Sequence, residues 1–309
     1  MRSIRTQLSL SSLLALTFGA LVACGAPPGD GVASDPGANG ESAESTSSAY
    51  SWIPRGTVRA TLGGRCLDVK NNGTANRTPV QIYDCSGSAA QDWYTPFTTA
   101  TGPLYSASAY KALDAPYGNS TTWIFDWWNG ANQRWSMPSI EIRGLYGKCL
   151  DVPYGGDSLT WIFSCHGGDN QRWAAYDDGT IRTKDGRCLG VADYQSSINV
   201  TVGACVGGWS QKWTIHSGGQ ILKLDPSNGT SMCLDQRGGS SADRTAVQLY
   251  PCNGTAAQSW HFRGELKNEE WNNCLSLPVT AGGPALDNFT QPVMSACGAG
   301  MHQWWEVRW

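Results

Sequence analysis

Charge is scarce in this 309-residue chain: Asp, Glu, Lys and Arg together make up 15% of it, and the formal net charge is −3. Lys and Arg stand singly rather than in runs or stripes, so the chain lacks the basic footprint that neutralising a nucleic-acid backbone requires. Histidine is rarer still, with four copies (His166, His216, His261 and His302) in unrelated contexts that match no triad or metal-ligand motif. No Cys-x-x-Cys or His-x-x-x-His spacing occurs, which removes the usual signature of a zinc site. Beyond the first two dozen residues there is no long segment with a 3.6-residue apolar period, so a helical fold is excluded as well.

What the chain has instead is glycine, tryptophan and cysteine: 37 Gly, 15 Trp and 11 Cys. Abundant glycine with abundant tryptophan implies short strands joined by tight turns around an aromatic core. Eleven cysteines imply disulfides and export to an oxidising compartment, and the odd total requires that one be placed separately.

The N-terminus supplies that place. Residues 1–23 have a positive start (Arg2, Arg5) and an apolar run from Leu13 to Ala23, with the length and flanks of a secretory signal rather than a membrane span. Leu21-Val22-Ala23-Cys24-Gly25 resembles the bacterial lipobox. The resemblance implies that Cys24 becomes the acylated first residue of the mature chain. Gly25 in place of Asp implies, for a Gram-negative lipoprotein, sorting to the outer membrane or cell surface. Residues 24–55 then read as the lipidated cysteine and a disordered tether, because the Pro/Gly/Ser-rich run offers nothing to bury.

After Tyr50 the chain repeats itself. Gln-x-Trp closes each unit at Trp93, Trp135, Trp173, Trp213, Trp260 and Trp305, at near-equal intervals of about 40 residues. Gln and Trp two apart share one face of a strand, so the Trp is expected in the core and the Gln amide on a buried polar partner. Upstream lie two matching segments, typified by Cys149-Leu150-Asp151-Val152 and Trp161-Ile162-Phe163-Ser164-Cys165, which read as short strands between Asn/Gly/Asp-rich loops.

The second unit has Ala112 and Trp127 where the others have their two cysteines, so both partners are lost together. A bond within each unit predicts this, and pairs Cys66 with Cys85, Cys149 with Cys165, Cys188 with Cys205, Cys233 with Cys252 and Cys274 with Cys297. Each closed loop is expected to stabilise by about 3 kcal/mol in the chain-entropy model.

Units of this length with Cys-Leu-Asp, an aromatic before the second Cys and a closing Asn-Gln-x-Trp closely resemble the ricin-type (R-type) lectin domain, a β-trefoil of three lobes. The resemblance covers about Gly56 to Trp309. It implies an all-β chain of two tandem β-trefoils, at residues 56–176 and 177–309, with the short join Ala174 to Thr180 between them.

In that family a sugar sits in a shallow pocket on a lobe. The resemblance implies that the Asp of Cys-Leu-Asp accepts hydrogen bonds from sugar hydroxyls, that the aromatic stacks on the ring, and that Asn or Gln adds polar contacts. An ionised carboxylate binds hydroxyl donors strongly and an aromatic plate covers the C–H face, so the chemistry is sound from first principles. Carried over residue by residue, lobe one has Asp68, Gln81, Tyr83 and Gln91; lobe two has Asp114, Phe125, Asn132 and Gln133; lobe three has Asp151, Phe163, Asn170 and Gln171; lobe five has Asp235, Gln248, Tyr250 and Gln258.

Lobes four and six have Gly190 and Ser276 for the Asp, and Gly203 and Ser295 for the aromatic, yet keep Gln211-x-Trp213 and Gln303-x-Trp305. An isolated Asp in such a turn more often bonds its own backbone. The joint loss of Asp and aromatic from the same two lobes favours binding. By sequence order the first trefoil then holds three sites and the second one. Exposed aromatics such as Trp128 and Trp209 are candidates for extending the pockets or for packing.

Hydrolysis of a glycosidic bond needs two carboxylates with divergent roles at one centre, whereas here the recurrent acids are copies of one another. The sequence therefore points to a non-enzymatic, monomeric lectin with no cofactor or metal, whose partner is a glycan or polysaccharide and which meets a membrane only through the lipid on Cys24. The alternative is a trefoil scaffold for protein interaction or inhibition, with vestigial pockets.

Overall fold

The computed structural model describes residues 55–95, 99–116, 120–153, 159–192, 197–216, 218–224, 229–298 and 300–308; the leader, Cys24 and most of the tether lie outside them. No α-helix occurs among the described residues, and strands alternate with single 3-10 turns. The chain is all-β, as the repeats predict.

Lobe three shows how one repeat folds. Strand Ile140–Arg143 leads to Cys149–Asp151, which pairs antiparallel with Trp161–Phe163; a 3-10 turn, Asp169–Gln171, then delivers strand Trp173–Ala175. Trp173 is buried, and its Nε1 donates to the Leu150 carbonyl at 2.9 Å. The same bond, at 2.9 Å, joins Trp93 to Leu67, Trp135 to Leu113, Trp213 to Leu189, Trp260 to Leu234 and Trp305 to Leu275. Burying an indole while satisfying its N–H is what makes the Trp irreplaceable in each lobe.

The Gln two residues earlier locks the second segment. Gln211 Nε2 donates to the Ala204 carbonyl at 2.7 Å, and its Oε1 accepts from the Val206 N–H at 2.8 Å. Gln91, Gln133, Gln171 and Gln258 bond Asp84 and Ser86, Asp126 and Trp128, Ser164 and His166, and Pro251 and Asn253 in the same way. All five expected disulfides are present, with sequence separations of 19, 16, 17, 19 and 23.

The lobes do not associate in chain order. Strand Arg55–Ala60 of lobe one pairs with Trp93–Tyr94 of its own lobe and with Trp304–Arg308 of lobe six. Trp93–Tyr94 pairs with Tyr105–Ser106 of lobe two, whose Arg134–Ser136 pairs with Lys267–Asn268 of lobe six. Gly264 and Glu265 face Trp305 and Trp304 and complete the ring. Lobes one, two and six thus form one six-stranded barrel, with Trp93, Trp135 and Trp305 at its core.

Lobes three, four and five form the other. Ile140 faces both Trp173 and Gly264, Trp173–Ala175 pairs with Ile181–Thr183, and Thr214–Ile215 pairs with Ile221–Leu224. Ile142 and Arg143 of lobe three face Phe262 and His261 at the end of lobe five and close it. The hairpins capping the barrels sort identically: lobe one meets two, two meets six, three meets five and four, and four meets five.

The expected boundary between residues 176 and 177 is therefore not where the strand pairings divide the chain. Lobes three to five are inserted between the second and third lobes of the other trefoil. The segment Ala174 to Thr180 is a hairpin turn inside the inserted barrel, with Tyr176 N–H bonded to the Thr180 carbonyl at 2.9 Å.

One strand carries the return crossing. His261–Glu265 pairs with Ile140–Arg143 on one side and with Trp304–Arg308 on the other, so a continuous sheet ties the barrels together. Gly264 is required there, because a Cβ at that position would lie 2.4 Å from the Ser139 carbonyl oxygen. Arg263 faces Glu141 on one neighbouring strand and Glu306 on the other, and the Arg172 guanidinium of lobe three stacks 4.3 Å from the Trp304 ring centroid of lobe six.

Candidate functional site

The Cys-Leu-Asp strand turns its Asp toward the end of the lobe where the second strand and the 3-10 turn converge. Four buried carboxylates result, each held by neighbouring donors. In lobe one, Gln81 Nε2 donates to Asp68 Oδ1 (2.9 Å) and Gln91 Nε2 to Oδ2 (3.1 Å). In lobe two, Asn132 Nδ2 and Gln133 Nε2 both reach Asp114 Oδ2, at 2.9 and 3.0 Å. In lobe three, Trp161 Nε1 donates to Asp151 Oδ1 (2.7 Å), while Asn170 Nδ2 (2.9 Å) and Gln171 Nε2 (2.8 Å) share Oδ2. Lobe five repeats lobe one, with Gln248 on Asp235 Oδ1 (2.8 Å) and Gln258 on Oδ2 (3.1 Å).

A carboxylate offers about four lone-pair sites, so each Asp keeps acceptor capacity after these bonds. Burial pushes the carboxyls of Asp68, Asp114 and Asp151 above the ordinary aspartate value, while the amide donors pull them part of the way back. Hydroxyl donors from a ligand favour the same ionised form that the amides favour. One buried polar atom beside these carboxylates, Asn170 Oδ1 in lobe three, has no hydrogen-bond partner among the described residues.

Cavities open over two of the carboxylates. One of about 340 Å³ is lined by Asp151, Trp161, Phe163, His166, Asn170 and Arg244. Another of about 250 Å³ is lined by Asp68, Gln81, Tyr83, Ala90 and Phe289, among others. The aromatics Tyr83, Phe125 and Phe163 are half-buried and Tyr250 is exposed, leaving ring surface for a ligand. Trp128 and Trp209 are exposed as well.

The expected site residues therefore separate into two kinds. Asp, the aromatic and the half-buried Asn132 and Asn170 stand at the surface of each lobe or just beneath it. Gln91, Gln133, Gln171 and Gln258 are 0% exposed, fixed by backbone bonds, and orient the Asp beside them. Gln81 and Gln248 are nearly buried and do the same from the other side. With the lobes regrouped, each trefoil carries two candidate sites, rather than three on one and one on the other.

Sequence reasoning missed the residues that reach in from a neighbouring lobe. Arg77, Arg244 and Phe289 have left-handed backbone (φ 67, 69 and 72°), and their N–H groups bond the carbonyls of Ile124, Ile162 and Ile82 in lobes two, three and one. The residue before each clasps the same neighbour: Asn76 Oδ1 accepts from Asp126 N–H (2.9 Å), Asp243 Oδ1 from Ser164 N–H (2.8 Å) and Asn288 Oδ1 from Asp84 N–H (2.9 Å). Phe289 lies edge-on to Tyr83, with centroids 5.1 Å apart. The available signal was position: each lies four residues before the start of its lobe's second segment. Which lobe it faces depends on the association order, which the repeat pattern does not contain.

The model of the ricin-type beta-trefoil lectin domain matches residues 54–139, 138–229 and 226–308. The chain belongs to this lectin family. Each matched stretch covers two lobes, so the three stretches tile the chain without following its barrels. Among curated proteins, nigrin b of Sambucus nigra is 28% identical over 209 residues (64% of this chain), and agglutinin-1 of Abrus precatorius is 26% identical over 222 residues (68%). The matches span 35% and 38% of those relatives' own lengths. Among solved structures, the Abrus precatorius agglutinin is 20% identical, covering 68% of this chain and 96% of its own, with a TM-score of 0.35. The β-trefoil lectin of the Vibrio vulnificus hemolysin/cytolysin, solved with N-acetyl-D-lactosamine bound, is 28% identical, covering 40% of this chain and 92% of its own, with a TM-score of 0.33. Membership of the family supports carbohydrate binding.

Proposed function

We propose that the chain is a non-catalytic lectin that binds glycans through the Asp68, Asp114, Asp151 and Asp235 pockets, two on each trefoil. The observation that carries this reading is the split between lobes. Four lobes bury a carboxylate and spend amides on orienting it, while lobes four and six build the same turn with Gly190 and Ser276 and keep the same Gln and Trp bonds. The fold does not need the Asp, and its occurrence together with an aromatic in the same four lobes supports reading it as a binding position.

Single shallow pockets bind at roughly mM, and engaging several on a repetitive glycan raises avidity by about 10²–10⁴. The continuous sheet through His261–Glu265 suits this use, because it holds four pockets on one rigid body. Five disulfides fit an exported protein. The lipobox-like Leu21–Gly25 supports anchoring through Cys24, which a Cys24→Ser variant tests by moving from the membrane to the soluble fraction.

The test of binding is a polysaccharide and glycan screen on the intact chain, with free monosaccharide as competitor. Saturable, competable binding is the expected result. Silence across neutral and acidic glycans alike, or capture of a protein partner that no sugar displaces, contradicts it.

A further inference from the structure

Arg77 and Arg244 occupy the same place beside two different buried carboxylates. Each guanidinium lies 6.0 Å from the ring centroid of the tryptophan that backs a carboxylate, Trp123 beside Asp114 and Trp161 beside Asp151. The clasps at Asn76 and Asp243 and the backbone bonds to Ile124 and Ile162 hold the backbone of the two arginines in the same conformation, although they come from different lobes and different barrels. Such a coincidence is not expected of surface charges placed for solubility.

The nearby acids are already paired. Asp126 is bonded to Lys111, and Asp243 to Lys148 at 2.6 Å. Among the described residues neither Arg77 nor Arg244 has a carboxylate partner, and both are exposed. Arg244 lines the same 340 Å³ cavity as Asp151. The cavity thus offers a buried acceptor for hydroxyls, an aromatic wall, and at its rim an exposed guanidinium able to take an oxyanion in two parallel bonds. Lobe one differs at the equivalent position, where Phe289 adds a second ring beside Tyr83 and no charge.

Resting on the glycan-binding reading above, we propose that the lobe-two and lobe-three pockets select anionic sugars, bearing a carboxylate or sulfate, through Arg77 and Arg244, whereas the lobe-one pocket takes a neutral ring. The two arginine-bearing sites fall one on each trefoil, so a chain of acidic residues can engage both barrels at once.

The test uses the intact chain and matched pairs of polymers: polygalacturonate against its methyl ester, and a sulfated galactan against the same galactan desulfated. Each pair keeps its sugar backbone and differs at the acidic group. Acidic members are expected to bind about tenfold or more tightly per site, the size of one charge-assisted hydrogen bond, with the preference shrinking as salt is raised. Whichever pair shows the effect separates carboxylate from sulfate. The R77Q/R244Q double variant is expected to lose the preference while keeping its melting temperature, and R77K/R244K to recover part of it.

Equal binding of acidic and neutral members, or a preference that survives R77Q/R244Q, overturns this inference and leaves the glycan-binding reading standing. No binding to any of the four polymers, alongside silence in the wider screen, overturns both.

Discussion

Gln171 Nε2 lies 2.8 Å from Asp151 Oδ2 and 3.1 Å from the Ser164 carbonyl, so one amide serves the pocket and the fold together. Its counterpart Gln211 keeps only the fold bond, at 2.7 Å to Ala204, in a lobe where Gly190 replaces the acid. The pair shows how a lobe survives the loss of its site. Asp151→Ala is therefore expected to remove binding at lobe three and to cost about 1–3 kcal/mol, from donors left unsatisfied. Gln171→Ala is expected to cost more stability for the same loss of binding, because the second segment loses its anchors as well. Thermal melts beside titration of a glycan ligand check the order; equal destabilisation by the two would contradict it.

A second prediction follows from the regrouped lobes. A fragment covering residues 137–266 contains all three lobes of the inserted barrel and is expected to melt cooperatively with its three disulfides formed. Fragments 56–176 and 177–309 each contain lobes of both barrels and complete neither, so they are expected to give broad transitions and exposed apolar surface. Cooperative melting of 177–309 with failure of 137–266 would restore the division in chain order.

Gly264 supplies a third. A Cβ there meets the Ser139 carbonyl oxygen at 2.4 Å, where the chain crosses between barrels. Gly264→Val is expected to destabilise both barrels together, by about 1–3 kcal/mol for forced overpacking. Calorimetry distinguishes this from loss of one barrel, which would split the transition.

The raised carboxyls of Asp68, Asp114 and Asp151 give a pH dependence. Hydroxyl donors favour the ionised form, so binding is expected to be complete well above the raised folded-state values. It should weaken as pH falls through them, beginning above the ordinary aspartate range. The sign for stability is opposite. A folded-state value above the unfolded one means the folded protein holds the proton more tightly, so these groups cost stability as pH rises from the unfolded value to the folded one. Titration from pH 7 to 4 checks the binding limb; affinity that rises over this range would contradict it.

Most of the fold was legible in the sequence because each lobe is a local structure. Cys149, Cys165, Gln171 and Trp173 meet within one repeat, so spacing alone defines their partners. The grouping of lobes was not legible. Lobes one and six pair through Thr57 facing Arg308, a contact that spans nearly the whole repeat region and leaves no local mark. For the same reason Asp68 and Tyr83 could be read from the chain, while Phe289, more than 200 residues from Tyr83, could not. That Gln91, Gln133, Gln171 and Gln258 are fully buried was not legible either, because burial is a property of the packed lobe.

In the function proposed above, four carboxylates bind glycan while the two lobes without them only complete the fold. The direct test is glycan affinity of the intact chain carrying Asp68→Ala, Asp114→Ala, Asp151→Ala and Asp235→Ala together, compared with a chain altered at Ser276 and Ser295 of lobe six. Loss of binding from the fourfold variant while it remains folded, with the lobe-six variant binding as the native chain does, is the predicted result. Undiminished glycan binding by the folded fourfold variant would contradict the account.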